Sequence, residues 1–214
     1  MSDAAAERAQ ARHRRPPDCR YGSAAGQRGS HGNAPPSVPV EQLDGALLAA
    51  MKAGARTPFP ERYRTLAPVI DQVFNLDTLL ATSIGPSWAT LSGTQKAVLL
   101  VVFRRFTVSS YVASFDLYNG QSFQILPAVR AVSNGDVVVQ SRLLRIGSSP
   151  IALDYVMRCG QGGWQAVDVL MDGSISRVAV QRSDFRELLN TGGGWALAAS
   201  LEHKVASLSG GIID

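Results

Sequence analysis

The chain has 214 residues, with 21 Lys and Arg, 17 Asp and Glu, three His and two Cys. That length allows one domain, or one domain and a tail, and a hydrophobic content of 45% excludes a wholly disordered or fibrous chain. Two cysteines exclude a disulfide scaffold, and the longest apolar run, residues 97–103, falls short of the roughly 20 residues of a membrane span, so no transmembrane helix is expected.

The charge is unevenly placed. Residues 1–40 carry six arginines against three acidic residues, and residues 41–214 carry 15 basic against 14 acidic groups. The basic character therefore belongs to the tail. A nucleic-acid binder concentrates basic residues on its folded domain, so no nucleic-acid partner is expected. The same first 40 residues hold five of the eleven prolines and almost no large aliphatic side chains. Such a segment cannot offset its ordering entropy, and a disordered tail is expected there. Arg14-Arg15 resembles a twin-arginine motif, but Pro16-Pro17-Asp18 stands where an apolar segment should follow, so no secretory signal is read.

From Val40 the pattern changes. Leu43, Leu47, Leu48 and Met51 recur at helical spacing, and Gly54 stops the run. Pro58-Phe59-Pro60 opens a second helix to about Phe74, with a kink expected at Pro68. Residues 76–83 form a short helix before Gly85-Pro86. Ser92 and Gln95 make a capping box for a long helix reaching about Tyr118. That helix is apolar nearly all round from Val98 to Phe106, which implies burial on several sides.

The middle of the chain has strand periodicity over residues 123–132, 137–146, 151–159 and 164–171. Asn134-Gly135 marks a tight hairpin. Ser148-Ser149-Pro150 and residues 160–163 supply two further short turns. Three short connections dictate an antiparallel meander. Val137, Val139 and Leu143 share one face, as do Ile151, Leu153, Tyr155 and Met157, and Val167, Val169 and Met171. The last strand alternates imperfectly, because Trp164 and Leu170 fall on the opposite parity. Residues 177–189 and 195–208 then form two helices around Gly192-Gly193-Gly194. The order gives an α+β fold, with helices wrapped on a curved four-stranded antiparallel sheet. Residues 1–40 form its tail, residues 41–208 its domain and residues 209–214 a short C-terminal extension.

Chemistry-bearing motifs are sparse. Gly192-Gly193-Gly194 lacks the Lys-Ser/Thr ending of a phosphate loop and follows a helix, so a helix C-cap and hinge is the expectation. Asp168, within an apolar strand, reads either as a general base in an apolar cup or as a structural partner of Arg158, Arg177 or Arg182. Asp172, at the strand end, carries the same two readings. His203 lies between Glu202 and Lys204 as a surface residue, and Cys159 reads as a lone, inert thiol. No metal-spaced ligand set and no Gly-x-Ser-x-Gly nucleophile is present. The apolar load on the long helix and the sheet admits a filled core or a cavity open to an apolar ligand. A third reading is a structural or adaptor domain whose basic tail binds an acidic surface or nucleic acid.

Several stretches together resemble the MlaC, or toluene-tolerance, family. They are Trp164-Gln165-Ala166-Val167-Asp168-Val169, Asp172-Gly173-Ser174-Ile175-Ser176 and Gln181-Arg182-Ser183-Asp184-Phe185. Upstream, residues 62–68 with Phe74-Asn75-Leu76, then Gly85-Pro86-Ser87-Trp88, fit the same pattern, as do Phe103, Phe106, Tyr111 and residues 118–121. The resemblance covers residues 41–208. Residues 173–182 look more like the hopanoid-associated HpnM branch. Asn75 stands where the family usually has Asp, a change of little weight if the position caps a helix.

The resemblance implies a periplasmic lipid carrier without enzymatic chemistry or cofactor. It implies a cone related to NTF2-like proteins, with the acyl chains of a phospholipid or hopanoid inside. It implies a monomer that exchanges lipid with an inner-membrane ABC transporter complex and an outer-membrane lipoprotein complex. On that reading Val102, Phe103, Phe106 and Tyr111 line the pocket from the helix. Val139, Leu143, Tyr155, Met157, Val167 and Val169 line it from the sheet. An export signal is also implied, and residues 1–40 do not read as one, so a wrong start or an altered 5′ end of the gene is expected.

Overall fold

In a computed structural model, residues 34–213 are described. Of the tail expected over residues 1–40, residues 1–33 lie outside them, as does the last residue, and residues 37–40 are helical. Helix α1 (Ser37–Ala53) begins before the expected boundary, and Val40 is fully buried. Its apolar positions Val40, Leu43, Leu47 and Met51 form one stripe. Gly54 ends it at φ 61°, a conformation that favours glycine. Helix α2 (Phe59–Val73) continues through Pro68. Burial of Leu66, Ala67, Ile70 and Val73 offsets the roughly 3 kcal/mol that an internal proline costs. Helix α3 (Leu76–Ile84) starts on Asn75, whose side chain accepts from the Thr78 N–H at 3.0 Å. The Asn for Asp exchange is therefore silent at a cap.

Helix α4 (Gly93–Ser114) carries both halves of the expected capping box between Ser92 and Gln95. It ends at Ser114, four residues earlier than expected, with Phe115 as its C-cap. By length and composition alone α4 could cross a membrane. In the fold it is a central strut. Leu99, Val102, Phe103, Val108 and Val112 are buried, and the helix packs on α2, α3 and the C-terminal helix.

The sheet is an antiparallel meander in the order β1 (Ser122–Ala131), β2 (Val137–Arg145), β3 (Ser148–Gly160), β4 (Gly163–Met171), β5 (Ile175–Ser176). It has five strands rather than four, the fifth being a two-residue edge on β4. Asn134 and Gly135 both take positive φ, as the tight hairpin demands. The second turn lies at Ile146-Gly147, one step before the expected Ser148-Ser149-Pro150, because Arg145 already pairs with Ser148. Of three register shifts in the ladders, one lies between Leu143 and Arg145 beside the β2–β3 turn, and two fall within the sheet and bend it. The first of the two falls between Ile125 and Val129, around Pro127 on the edge strand. The other lies in β4, where Val156 pairs with Asp168 and Met157 with Ala166, leaving Val167 unpaired. The β4 bulge explains the broken alternation. Trp164 and Ala166 join Val169 in the core, whereas Val167 is buried outside the core cluster.

Helix α5 (Arg177–Ser209) spans both expected C-terminal helices, with a break at Gly193. Gly193 has φ 60° and ψ −155°, a region that is essentially glycine-only. A Cβ on Gly194 would stand 3.1 Å from Leu91 Cδ2 and 3.3 Å from Gln95 Cβ. The triplet is thus a hinge and a close contact with the start of α4. Gly193→Ala is expected to lower unfolding free energy by about 1–3 kcal/mol, read by urea denaturation.

Candidate functional site: an apolar cavity

Between α4 and the cavity-facing side of β2–β4 lies a cavity of about 440 Å³, within the size range of small-molecule sites. Phe103, Thr107, Ser110, Tyr111 and Ser114 line it from α4. Their spacing of four, seven, eight and eleven residues places them on one helical face. The sheet contributes Leu143, Leu153, Tyr155, Val169 and Met171, and Phe74 and Leu79 close one side. Phe74 joins the two walls, with ring centroids 5.6 Å from Tyr111 and 6.4 Å from Tyr155. Tyr111 stacks in turn on Phe115 at 6.0 Å.

Five of the ten expected pocket residues line the cavity: Phe103, Tyr111, Leu143, Tyr155 and Val169. The other five lie elsewhere. Val102 sits one position round the helix from Phe103 and faces a separate cleft beside Val205 and His203. Phe106 is half-buried, with the Lys204 ammonium 5.8 Å from its ring centroid, so it turns toward α5. Val139 and Met157 are fully buried in the filled part of the core. Val167 is removed by the bulge. Sequence reasoning missed Thr107, Ser110 and Ser114 because small polar residues read as gaps in an apolar coat. Extending the helical period from Phe103 would have found them, and those small side chains are what leave the space open.

Polar groups gather toward the edges. Arg145, Asp116, Gln121, Arg177 and Gln181 also line the cavity. Burial raises the Tyr111 phenol pKa, opposed by the Arg177 charge and reinforced by Asp44. Burial likewise raises that of Tyr155, with Tyr111 and Asp44 adding to it. Both phenols are therefore neutral hydroxyls at physiological pH. Asp44 on α1 is buried, and its Oδ2 accepts from the Ser141 hydroxyl at 3.0 Å. Its Oδ1 has no hydrogen-bond partner among the described residues. Burial pushes this carboxyl up to about 7, with Glu41 adding and the Ser141 bond opposing.

The remaining motif residues resolve into structural contacts. Asp168 does not line the cavity. Its Oδ1 accepts from the Val169 N–H at 2.7 Å and the Val178 N–H at 3.2 Å, and its Oδ2 accepts from the Ser176 hydroxyl. The carboxylate thus pins the first turn of α5 to the sheet. Of the arginines considered for it, Arg158 pairs with Asp136 at 2.7 Å, Arg182 donates to the Thr82 carbonyl, and Arg177 forms no ion pair with it. Asp168→Asn is expected to lower stability by about 1–3 kcal/mol, measured by chemical denaturation, because an amide cannot accept on both sides. Asp172 is a turn residue at φ 51° whose N–H donates to Ala152. His203 is exposed. Cys159 is disulfide-bonded, which corrects the expectation of a lone thiol. Among the described residues, no cluster of three His, Cys, Asp or Glu could hold a metal ion.

Comparison with known proteins matches this architecture. The phospholipid-binding protein from Ralstonia solanacearum, solved in complex with a phospholipid, superposes with a TM-score of 0.67 at 21% identity, over 82% of this chain and 99% of that one. That likeness establishes the shared fold, a helix-wrapped antiparallel sheet. The profile described as MlaC protein matches residues 41–203. With that match spanning well over half of its length, the chain belongs to the MlaC family.

Proposed function

We propose that this protein is a lipid carrier that holds acyl chains in the cavity between α4 and the sheet. The observation that carries the reading is the cavity itself, walled by Phe103, Leu143, Leu153, Tyr155 and Val169. The phospholipid bound by the Ralstonia protein of the same fold supports phospholipid as the ligand class. Each methylene removed from water contributes about 0.8 kcal/mol, so acyl chains bind strongly without catalytic groups. The two phenols on the wall are neutral, and Asp168 is consumed in structure, which favours a binding protein over an enzyme of NTF2-like architecture. Release then requires a partner that binds the lipid-free form better than the loaded one.

The proposed setting is the periplasm, where the chain acts as a monomer. It would exchange lipid with an inner-membrane ABC transporter complex and an outer-membrane lipoprotein complex. Membership of the MlaC family supports this setting, as does the disulfide at Cys159, since such bonds persist in oxidising compartments. The resemblance of residues 173–182 to the hopanoid-associated branch supports hopanoid as the alternative cargo.

Native mass spectrometry with lipid extraction, on the full chain exported to a bacterial periplasm, tests the reading. A one-to-one adduct with a phospholipid mass is expected. A hopanoid mass would move the ligand to the alternative class, and an empty protein from several hosts would contradict carriage.

A further inference from the structure

Two arginines and one carboxylate, Arg145, Arg177 and Asp116, line the cavity. Their balance is positive. The two arginines differ in how they are held. Arg145 donates from Nη2 to the Ser149 carbonyl at 3.0 Å. Arg177 is exposed and forms no ion pair or hydrogen bond with any other described residue. Elsewhere on the surface Arg104, Arg142 and Arg158 each hold a carboxylate at 2.6–2.7 Å. Arg177 therefore has its donor set unspent at the border of an apolar cavity.

Its position is fixed by its backbone. The Ser176 hydroxyl accepts from the Ala179 N–H at 3.0 Å, and Asp168 holds the same turn through the Val178 N–H. One helical turn onward, Gln181 lines the same wall. Its Oε1 accepts from the Ser83 hydroxyl at 2.9 Å, which orients the amide. The Arg177 charge also reaches the buried Tyr111 phenol, on the opposite, α4 wall. A guanidinium with free donors beside an apolar cavity fits an amphiphile whose tail is inside and whose anionic oxygen lies at the rim.

We propose that Arg177, with Gln181 beside it, forms a subsite for the phosphate of a lipid headgroup, selecting anionic lipids over neutral ones with the same acyl chains. The assignment rests on the carrier reading and deepens it, because a neutral hopanoid gains nothing from this subsite.

The test loads the delipidated full chain from vesicles containing equal amounts of dioleoyl phosphatidylglycerol and dioleoylglycerol, and reads the bound lipids by mass. The wild type is expected to favour the phospholipid by roughly tenfold, the scale of a charge-assisted hydrogen bond. Arg177→Gln is expected to bring the ratio close to one, and Arg177→Lys to restore most of it. Arg186→Gln, an exposed charge elsewhere on α5, controls for net charge and is expected to keep the ratio. Adding inorganic phosphate is expected to leave the ratio unchanged, and its collapse would assign the subsite to free phosphate instead. A wild type that takes both lipids equally, or an Arg177→Gln protein with undiminished preference, overturns the headgroup assignment while carriage stands. A wild type that loads neither lipid overturns the carrier reading itself.

Discussion

Ser110→Trp is expected to strip the protein of retained lipid while leaving the fold intact. Ser110 lies on the cavity face of α4, half-buried, with its hydroxyl turned back to the Phe106 carbonyl at 2.7 Å. Its side chain contributes little to packing, so its replacement removes no core contact. An indole projecting from this position fills space that an acyl chain needs. Displacing only three methylenes at about 0.8 kcal/mol each costs roughly 2.4 kcal/mol. That is about a 50-fold loss of affinity at 1.4 kcal/mol per factor of ten. Thermal unfolding of the delipidated variant should match or exceed that of the delipidated wild type, because a void has been filled. Retention of stoichiometric lipid by this variant would place the acyl chains elsewhere.

The second large effect is on stability. Asp44 is held between α1 and β2, with one oxygen bonded to Ser141 and the other orphaned. Burial raises its carboxyl from 3.8 to about 7. Below pH 3.8 the group is protonated in both the folded and the unfolded chain and contributes no pH dependence. Between pH 3.8 and 7 the unfolded chain loses this proton while the folded one keeps it, so stability falls as pH rises. Above pH 7 both are ionised and the full cost remains. A shift of about three units at 1.36 kcal/mol each amounts to roughly 4 kcal/mol. Asp44→Asn removes the ionisation. Its stability gain over the wild type should be near zero at pH 3.5, rise through the interval and level off at about 4 kcal/mol by pH 8. Urea denaturation across that range reads the difference directly. A gap independent of pH would show that Asp44 does not titrate abnormally.

The fold was legible wherever a local rule had no competitor. Ser92 with Gln95, Asn134-Gly135 and Gly54 each announce a boundary through chemistry that only one backbone shape satisfies. The long helix was overextended because Phe115, Leu117 and Tyr118 continue its apolar character, whereas they form a loop in which Phe115 and Leu117 line the cavity. The face of β4 was misread for a different reason. Strict alternation assumes a regular ladder, and the bulge at Val167 exchanges the parity of everything before it. Nothing within the strand marks that position, since Ala166, Val167 and Val169 are all compatible with either face.

The candidate site was half legible for a related reason. A filled core and a cavity wall use the same side chains, so Val139 and Met157 were indistinguishable from Tyr155 and Val169 by type or period. What separates them is the packing of distant elements, with α3 and Phe74 brought against the sheet through the Asn75–Ala166 hydrogen bond at 3.0 Å. Signs of the open space lay instead in Thr107, Ser110 and Ser114. The charged border at Arg145 and Arg177 comes from residues 32 positions apart in the chain, a pairing that no local pattern encodes.

Carriage by this cavity is tested most directly by photo-crosslinking the full chain loaded with phosphatidylglycerol bearing a diazirine near the middle of one acyl chain. Peptide mass mapping should place the adducts on residues 103–114 of α4 and on residues 151–155 of β3, the two facing walls. Adducts confined to the outer face of the sheet or to exposed surface, or a protein left unlabelled after loading, would contradict the account.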